Sequence, residues 1–158
     1  MPQQIERIND FVIKFANVNG SGSASANTLF AKSILRMGVP VSPRNIFPSN
    51  IQGLPTWYEV RVSEQGYLGR RGGVDMMVAM NPQTWAQDVK EIEPGGYLFY
   101  DNTKVLPRSK FRDDVNVVTL YGGRAYEPQI EALATVDVVV VAGRVVVVVG
   151  GTVVAVVV

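Results

Sequence analysis

The stretch FVIKFANVNGSGSASANTLFAKSILRMG, residues 11–38, decides the fold. It opens with a mainly apolar run of β-branched and aromatic residues, which is typical of a buried strand. Apolar residues then recur at three- and four-residue steps, with Lys32 on the opposite side, so an amphipathic helix is predicted. Gly38 supplies its C-terminal stop. The predicted buried stripe of this helix consists of Ala26, Leu29, Phe30, Ile34 and Met37.

A turn of alternating glycine and serine joins the predicted strand to the helix, and it consists of Gly20, Ser21, Gly22 and Ser23. Free amides at a helix start, together with the positive end of the helix dipole, suit a phosphate or a carboxylate. A second interpretation, in which the glycines only permit a tight turn, stays open. The turn is therefore a candidate cofactor-binding segment.

The turn does not complete the dinucleotide-binding fingerprint. The third glycine position holds Ser25, and residues 41–44, about twenty positions further on, are Val, Ser, Pro and Arg where an acid binds the ribose. A nicotinamide or flavin dinucleotide is therefore not expected.

Further strands and a second helix follow along the chain. TWYEVRVS, residues 56–63, alternates with the period of a strand that has one covered face. VDMMVAM, residues 74–80, is typical of a buried strand. Asn81 and Pro82 then predict a helix start. The buried stripe of this helix is predicted to consist of Trp85, Val89 and Ile92.

This order of elements predicts an α/β fold with three layers, in which helices cover both faces of a largely parallel sheet of Rossmann-like form. The proline-rich middle of the chain adds a hairpin or loop insertion. Asp88 and Glu91 are interpreted as the solvent-exposed face of the second helix. No pair of carboxylates has a spacing typical of acid–base catalysis, so no catalytic residue is assigned.

Loops that follow parallel strands meet at one edge of a sheet, where ligands bind in α/β proteins. Three segments are therefore expected to converge there: residues 17–23, 80–83 and 101–104. The basic residues Arg70, Arg71 and Lys104 either contact phosphates or form solvated turns.

Composition excludes several kinds of site. The 158 residues carry 15 Lys and Arg against 14 Asp and Glu, so no net field favours nucleic acid or an anionic membrane. The chain has no cysteine and no histidine, which excludes thiolate-held clusters, imidazole-bound metals and serine–histidine triads within it. No metal site is expected, and the amino end, without a basic-then-apolar design, predicts a cytoplasmic protein.

The carboxyl end is dominated by valine, which fills 15 of the 23 positions from Val136 to Val158. A transmembrane helix needs about 20 continuous apolar residues, and Asp137 and Arg144 interrupt the run. Buried strands also read as valine-rich runs, but so little variety specifies neither register nor packing. We interpret residues 136–158 as placeholders in an incompletely read continuation, after a domain formed by residues 1–135.

The segment PSNIQGLPTWYE, residues 48–59, combines two prolines and a glycine with alternating polar residues. Because proline restricts the backbone, the path is stiff and extended. Such a loop favours recognition of a surface, although a structural crossover is the alternative. Its polar residues form a candidate partner-contact loop: Ser49, Asn50, Gln52 and Thr56.

Four segments together resemble a known family: NGSGSASAN, RMGVPVSPRNIFPSNIQGLPTWYEVRVS, VDMMVAMNPQTWAQDV and EPGGYLFYDNT. They are similar to the gamma domain of 2-oxoacid:ferredoxin oxidoreductases, and most similar to the amino-terminal part of the 2-oxoglutarate-type alpha subunit. The resemblance runs from Phe11 to Leu120, and residues 47–59 carry its most specific motif.

The resemblance implies a complex that decarboxylates a 2-oxoacid with thiamine diphosphate and magnesium, forms an acyl-coenzyme A and passes electrons through iron–sulfur clusters to ferredoxin. It implies that this domain holds none of these cofactors alone. The chemistry belongs to the partners: a beta subunit with thiamine diphosphate and a cluster, and a fused or separate alpha domain. The glycine turn would contact coenzyme A, and residues 49–58 would face the active-site entrance.

Two alternatives stay open. The chain could be a freestanding α/β module that binds a phosphorylated ligand at Gly20 to Ser23, or the same enzyme class could act on pyruvate or a branched-chain 2-oxoacid. Nothing in these residues excludes the second alternative, because the far end of the substrate would be recognised elsewhere in the complex.

Overall fold

The computed structural model describes residues 7–48, 50–101, 106–121, 124–125, 137–141, 144–149 and 152–157, with side chains as far as Val118. The helices are α1 (Ser23–Arg36) and α2 (Trp85–Lys90), and a 3-10 turn spans Arg108–Lys110. The strands are β1 (Asp10–Val18), β2 (Val41–Ile46), β3 (Pro55–Ser63), β4 (Val74–Ala79), β5 (Ile92–Asp101), β6 (Asn116–Tyr121), β7 (Arg124–Ala125), β8 (Asp137–Val141), β9 (Arg144–Val149) and β10 (Thr152–Val157).

Seven strands form the main sheet in the order β2-β3-β1-β4-β5-β6-β7. The four strands β1, β4, β5 and β6 are parallel, whereas β2, β3 and β7 add antiparallel pairs at the edges, so the sheet is mixed. The predicted hairpin is the β2–β3 pair. Strands β8, β9 and β10 form a separate antiparallel sheet in the valine-rich segment, and the interpretation of that segment as placeholder residues stays a prediction.

Helices cover both faces of the sheet, as predicted, because β1 alternates its side chains between two apolar clusters. Phe11 and Ile13 pack with Ile34 of α1, whereas Val12 and Ala16 belong to the cluster that holds Trp85 and Val89 of α2. The α/β class is therefore confirmed, and β1 is the strand around which both layers are built.

The buried stripe of α1 differs from the prediction. The structure buries Asn27, Ala31 and Ile34, with Phe30 and Met37 packed partly against them, but Leu29 is 63% exposed. The helix is rotated so that a polar residue, Asn27, shares the buried face. The three- and four-residue spacing of apolar residues is compatible with either rotation of the helix about its axis, and packing against the sheet selects the observed rotation.

The second helix begins later than predicted. Asn81 accepts a hydrogen bond from the Gln83 amide at 3.0 Å and so forms a side-chain turn. The helix starts at Trp85, with Thr84 as its N-cap residue, and Ile92 belongs to β5. The prediction that Asp88 lies on a solvent-exposed face is wrong, since Asp88 has no exposed surface.

Strand β3 is covered on both faces, so the predicted single covered face is also wrong. Glu59 and Arg61 are buried alongside Val60 and Val62. They tolerate burial because each has an ionic partner: Glu59 accepts two hydrogen bonds from Arg70, at 2.9 and 2.8 Å, and Arg61 pairs with Asp10. Buried charges persist in proteins when they are paired in this way.

Candidate functional site: an amide-lined pocket beside the glycine turn

The glycine turn leads directly from β1 into α1. Gly20 and Gly22 have φ values of 87° and 77°, in the left-handed region that favours glycine. Gly22 is the N-cap residue and no side chain caps the helix, nor does an acidic residue lie in its first turn. The first amides of α1 therefore lack the side-chain acceptor that usually satisfies them.

The proline-rich loop packs against this turn. The Asn19 amide donates to the Leu54 carbonyl oxygen at 2.8 Å, and the Gly53 amide donates to the Asn19 carbonyl oxygen at 3.0 Å. The register that pairs Val18 with Pro55 makes this contact unavoidable, because it brings the start of β3 to the carboxyl end of β1. The two segments singled out in the sequence therefore form one structural unit.

A pocket of about 230 Å³ opens between the turn, the loop and the β2–β3 hairpin. Its described lining contains no charged side chain. Four asparagines line it, Asn17, Asn19, Asn27 and Asn45, together with Thr56 and the residues Gly20, Gly22, Ser23 and Ala24 of the turn and the helix start. Phe15 and Tyr58, which are paired across β1 and β3, and the neighbouring residue Trp57 complete the lining. The site is suited to a ligand group held by neutral hydrogen bonds and the helix dipole.

Asn27 carries the strongest indication of a ligand. It is 7% exposed, lines the pocket, and its Nδ2 atom is buried without a hydrogen-bond partner among the described residues. A buried donor without an acceptor costs about 1–3 kcal/mol. A ligand oxygen at this position would remove that cost, so Asn27 is poised to donate to a bound acceptor.

Tyr58 of β3, which also lines the pocket, contacts α1 through its hydroxyl. Thr28 Oγ1 donates to the Ala24 carbonyl oxygen at 2.7 Å and lies 3.0 Å from the Tyr58 hydroxyl. Because the Thr28 proton is committed to the backbone, the Tyr58 hydroxyl donates to Thr28 and keeps its lone pairs for other donors. This contact ties β3 to α1 beside the pocket.

The predicted site residues have different positions relative to the pocket. Gly20, Gly22, Ser23 and Thr56 line it. Ser21 lies beside it and donates to Ser23 Oγ at 3.0 Å, Gln52 covers Gly20, Asn50 is exposed on the loop, and Ser49 lies outside the described residues. Sequence reasoning missed Asn27, although a polar residue within an apolar helical stripe was a usable signal.

The three loops converge as predicted, as far as the structure describes them. The Met80 amide donates to the Ala16 carbonyl oxygen at 2.9 Å, and Asn81 Nδ2 donates to the Asn17 carbonyl oxygen at 3.3 Å. Asp101 borders a second cavity of about 300 Å³ together with Met80 and Trp85. Lys104 lies outside the described residues.

The basic loop does not contact the pocket. Arg70 binds Glu59, and the hydrogen bond together with the charge of Glu59 raises the pKa of Arg70. Arg71 pairs with Asp75, which also accepts a hydrogen bond from the Val12 amide at 2.8 Å and pairs with Arg7 at 3.3 Å. Burial raises the pKa of Asp75 above its ordinary value. Both arginines form structural ion pairs, and the Arg70 side chain remains half exposed.

Within the described residues, no group of three or more Asp and Glu side chains could hold a metal ion. Over the same part of the chain, no helix has the length and hydrophobicity needed to cross a membrane.

Comparison with known proteins identifies the family. The sequence model described as pyruvate ferredoxin/flavodoxin oxidoreductase matches residues 12–156. The chain belongs to this family, and the resemblance noted in its motifs is confirmed. Over 92 residues it is 27% identical to the alpha subunit of 2-oxoacid:ferredoxin oxidoreductase 2 from Aeropyrum pernix. The aligned region covers 58% of this chain and 14% of that subunit.

Solved structures show the same fold. A 2-oxoglutarate:ferredoxin oxidoreductase from Magnetococcus marinus, with 2-oxoglutarate, coenzyme A and succinyl-CoA bound, matches at a TM-score of 0.64 and 25% identity, over 71% of this chain and 20% of that one. A pyruvate oxidoreductase subunit from Thermotoga maritima matches at 0.56 and 16%, over 78% and 67% of the two chains. A gamma subunit of a keto/oxoacid ferredoxin oxidoreductase from Geobacter sulfurreducens matches at 0.55 and 17%, over 73% and 68%.

Proposed function

We propose that residues 1–135 form the gamma-type domain of a 2-oxoacid:ferredoxin oxidoreductase complex, in which the domain serves assembly and access of coenzyme A. The complex decarboxylates 2-oxoglutarate, joins the remaining acyl group to the coenzyme A thiol and passes two electrons to ferredoxin. The pocket beside the glycine turn contributes contacts to coenzyme A. The proline-rich loop faces a neighbouring domain at the entrance of the active site.

The remaining cofactors are assigned to other subunits because this chain does not offer their usual ligands. It has no cysteine for an iron–sulfur cluster, and its described residues contain no carboxylate group suited to a metal. Thiamine diphosphate with its magnesium ion, and at least one iron–sulfur cluster, therefore belong to a beta subunit. A fused or separate alpha domain completes the complex, which we place in the cytoplasm without contact to nucleic acid or membrane.

The choice of 2-oxoglutarate rests on similarity. The Magnetococcus 2-oxoglutarate enzyme matches this chain at 25% identity and a TM-score of 0.64, against 16% and 0.56 for the Thermotoga pyruvate subunit. Pyruvate or a branched-chain 2-oxoacid is the alternative substrate. Initial rates of the purified enzyme with the three kinds of 2-oxoacid distinguish them.

The observation that supports a coenzyme A contact is the buried Asn27 donor at the start of α1. Coenzyme A carries phosphate and amide oxygens, which are acceptors of the kind that this donor and the neighbouring backbone amides lack. The pocket thus contains hydrogen-bond donors without acceptors, and oxygens of coenzyme A would supply those acceptors.

We expect Asn27→Leu to separate stability from binding. The substitution removes a buried donor without an acceptor, so the protein should become more heat-stable, while the KM for coenzyme A should rise roughly 3- to 10-fold through loss of one hydrogen bond. The measurements are thermal unfolding of the complete protein and steady-state rates at varied coenzyme A.

A matched control is Gln87→Ala, which removes an exposed carboxamide from α2 and should change neither quantity. An unchanged coenzyme A KM in Asn27→Leu would remove the pocket from the proposal.

Calorimetry of the chain with coenzyme A and with simple nucleotides, with and without its beta partner, tests the alternative of a freestanding module. Tight binding without the partner would favour that alternative.

A further inference from the structure

Leu29 lies at the centre of the solvent-facing side of α1. Successive residues of an α-helix are turned by about 100°, so Leu29 lies roughly 140–160° around the helix axis from each residue of the buried side. That buried side consists of Asn27, Ala31 and Ile34. Leu29 is 63% exposed. A single exposed leucine is ordinary on a protein surface, so its meaning depends on what surrounds it.

An open groove of about 470 Å³ lies beside Leu29 on this side of α1. Three residues of its described lining are small, and one of them, Thr28, already donates its hydroxyl proton to the Ala24 carbonyl oxygen at 2.7 Å. The groove therefore combines a large apolar residue with a lysine one helical turn further along. Its described lining is Ala24, Ser25, Thr28, Leu29 and Lys32.

The charge of α1 has one sign. Residues 23–36 include Lys32 and Arg36 but no Asp or Glu, and neither cation forms an ion pair with a residue that the structure describes. Arg36 lies in the last turn, where a cation interacts favourably with the helix dipole. Lys32 has no such role within the fold. Its charge beside an exposed leucine favours a partner that brings a carboxylate and an apolar side chain.

We propose that the outer face of α1, centred on Leu29 and Lys32, is the surface on which the alpha part of the enzyme docks. The docking segment places an apolar side chain in the groove and a carboxylate beside Lys32. This inference rests on the proposed function, which supplies the alpha part. Ala24 lines both the groove and the pocket beside the glycine turn, so a segment docked in the groove adjoins that pocket.

The choice of the alpha part follows from chain length and from the size of the contact. The region of the Aeropyrum alpha subunit that aligns with this chain is 14% of that subunit, so the remainder belongs to the same polypeptide. Tethered parts meet at a high effective concentration, and a small contact is then enough to hold them together. Free proteins that associate stably bury roughly 1,200–2,000 Å². A groove with one leucine and one lysine therefore suits a tethered part better than a free partner or a second copy of the chain.

The docked state can be measured by the reactivity of a thiol in the groove. The chain has no cysteine, so Ser25→Cys gives it a single thiol, whose labelling in the assembled enzyme is measured by peptide mass spectrometry. Leu29→Gln in this background should raise the labelling rate roughly 5- to 10-fold, because docking buries less apolar surface. Leucine and glutamine have similar helix propensities, so the thermal unfolding of the variant should match that of the wild type.

Leu35 provides the matched apolar control. It is 56% exposed on the same helix but does not belong to the described lining of the groove. Leu35→Gln should therefore leave the labelling rate within twofold of that of Ser25→Cys alone. An equal increase in Leu29→Gln and Leu35→Gln would overturn the proposal, since it would reflect a general effect of exposed leucines on α1.

Lys32→Glu tests the charge of the surface. It should raise the labelling rate roughly 3- to 5-fold at low ionic strength by repelling the partner's carboxylate, and the increase should shrink in high salt. Lys90→Glu makes the same charge change at an exposed position of α2, on the opposite face of the sheet, and should have no effect. An increase in Lys32→Glu that does not depend on salt would overturn the assigned carboxylate.

A photoactivated benzophenone side chain at position 25 identifies the occupant of the groove. In the assembled enzyme it should cross-link to a peptide of the alpha part in which an Asp or Glu lies beside an apolar residue. A cross-link to the beta subunit, or to a second copy of this chain, would overturn the proposal.

The same samples separate this inference from the function on which it rests. If the enzyme assembles and turns over a 2-oxoacid, but Leu29→Gln and Lys32→Glu label no faster than their controls, the proposed function stands and the docking surface is overturned. If the wild-type chain does not assemble with alpha and beta parts at all, the proposed function fails, and the docking surface fails with it.

Discussion

At the scale of single residues, two polar side chains are buried in different ways, and only Asn27 lines the pocket. Asn27 is buried with a donor that no described residue accepts, and Asp88 is buried with every oxygen engaged. The Asn27 donor lacks a hydrogen-bond acceptor, whereas both oxygens of Asp88 accept hydrogen bonds. For that reason we assign Asn27 to ligand binding and Asp88 to the stable packing of α2 on the sheet.

Gly20 is the residue at which the turn and the loop meet. A Cβ atom built on it would lie 2.8 Å from Cγ of Gln52, and its φ of 87° is unfavourable for any side chain. Gly20→Ala should therefore destabilise the protein by about 1–2 kcal/mol through backbone strain and also raise the KM for coenzyme A by displacing the loop. Thermal unfolding and steady-state rates measure the two effects.

Gly38 offers the matching control for this prediction. It has a φ of 91°, and a Cβ atom there would meet nothing within 4 Å. Gly38→Ala should lose a similar amount of stability while coenzyme A binding stays unchanged. Equal KM values for the two alanine variants would contradict a role for the loop contact.

At the scale of the elements, α2 is held to the sheet by a buried hydrogen bond as well as by apolar packing. It lies on the sheet face opposite α1, and its Asp88 accepts a hydrogen bond from the Trp57 indole on the same face of β3. The helix spans only Trp85–Lys90, too short to be stable by itself. Packing of Trp85 and Val89 against β1 and β4 holds it in place.

Burial raises the pKa of Asp88 above its ordinary value of 3.8, although the hydrogen bonds from Thr84 and Trp57 oppose the shift. The folded chain therefore holds this proton more tightly than the unfolded chain does. The resulting stabilisation is fully present below pH 3.8 and is lost as the pH rises through the folded-state pKa. Between acid and neutral pH, α2 in the wild type should lose stability relative to α2 in Asp88→Asn.

Hydrogen exchange of the α2 amides in the two proteins, corrected for the intrinsic effect of pH on exchange, measures this difference. Lys14 favours the charged form of Asp88 and Glu91 disfavours it, so both charges must be intact in the comparison. If the difference in α2 stability between the wild type and Asp88→Asn stayed constant from acid to neutral pH, the raised pKa of Asp88 would be contradicted.

At the scale of the whole molecule, the sheet edge that carries the pocket also exposes apolar side chains. Phe47, Ile51 and Leu54, on the loop between β2 and β3, are 51%, 64% and 39% exposed. Exposed apolar groups that cluster on one segment are typical of a protein contact. The chain spans 14% of the Aeropyrum subunit and 20% of the Magnetococcus chain, so its relatives have much further protein to cover such a surface.

The double substitution Phe47→Ser with Ile51→Ser should weaken association with the other subunits of the proposed complex about tenfold or more, through loss of apolar area at the contact. Sedimentation of the reconstituted complex measures this association. Tyr67→Ser with Leu68→Ser is the control, since both residues are 66% exposed and lie outside the loop. An equal loss in both double variants would indicate a general effect of exposed apolar residues rather than docking by this loop.

Much of the fold could be predicted from the sequence because its signals are local. The apolar run of β1, the glycine turn and the stop at Gly38 lie within 28 successive residues, and each follows from backbone geometry or side-chain period. The same signals did not orient α1 about its axis, so Leu29 was expected inside and Asn27 was overlooked. Orientation depends on which strand residues the helix meets.

The sequence by itself determined an α/β chain with a glycine turn at the end of its first strand and a stiff hairpin loop, and its motifs determined the family. Only the tertiary structure decided that the loop closes on the turn, that Asn27 faces the resulting pocket and that Asp88 is buried beneath Trp57. The reason is physical: periodicity and turn chemistry act over a few residues, whereas the burial of a polar group depends on partners that lie dozens of residues away, such as the 31 positions between Trp57 and Asp88.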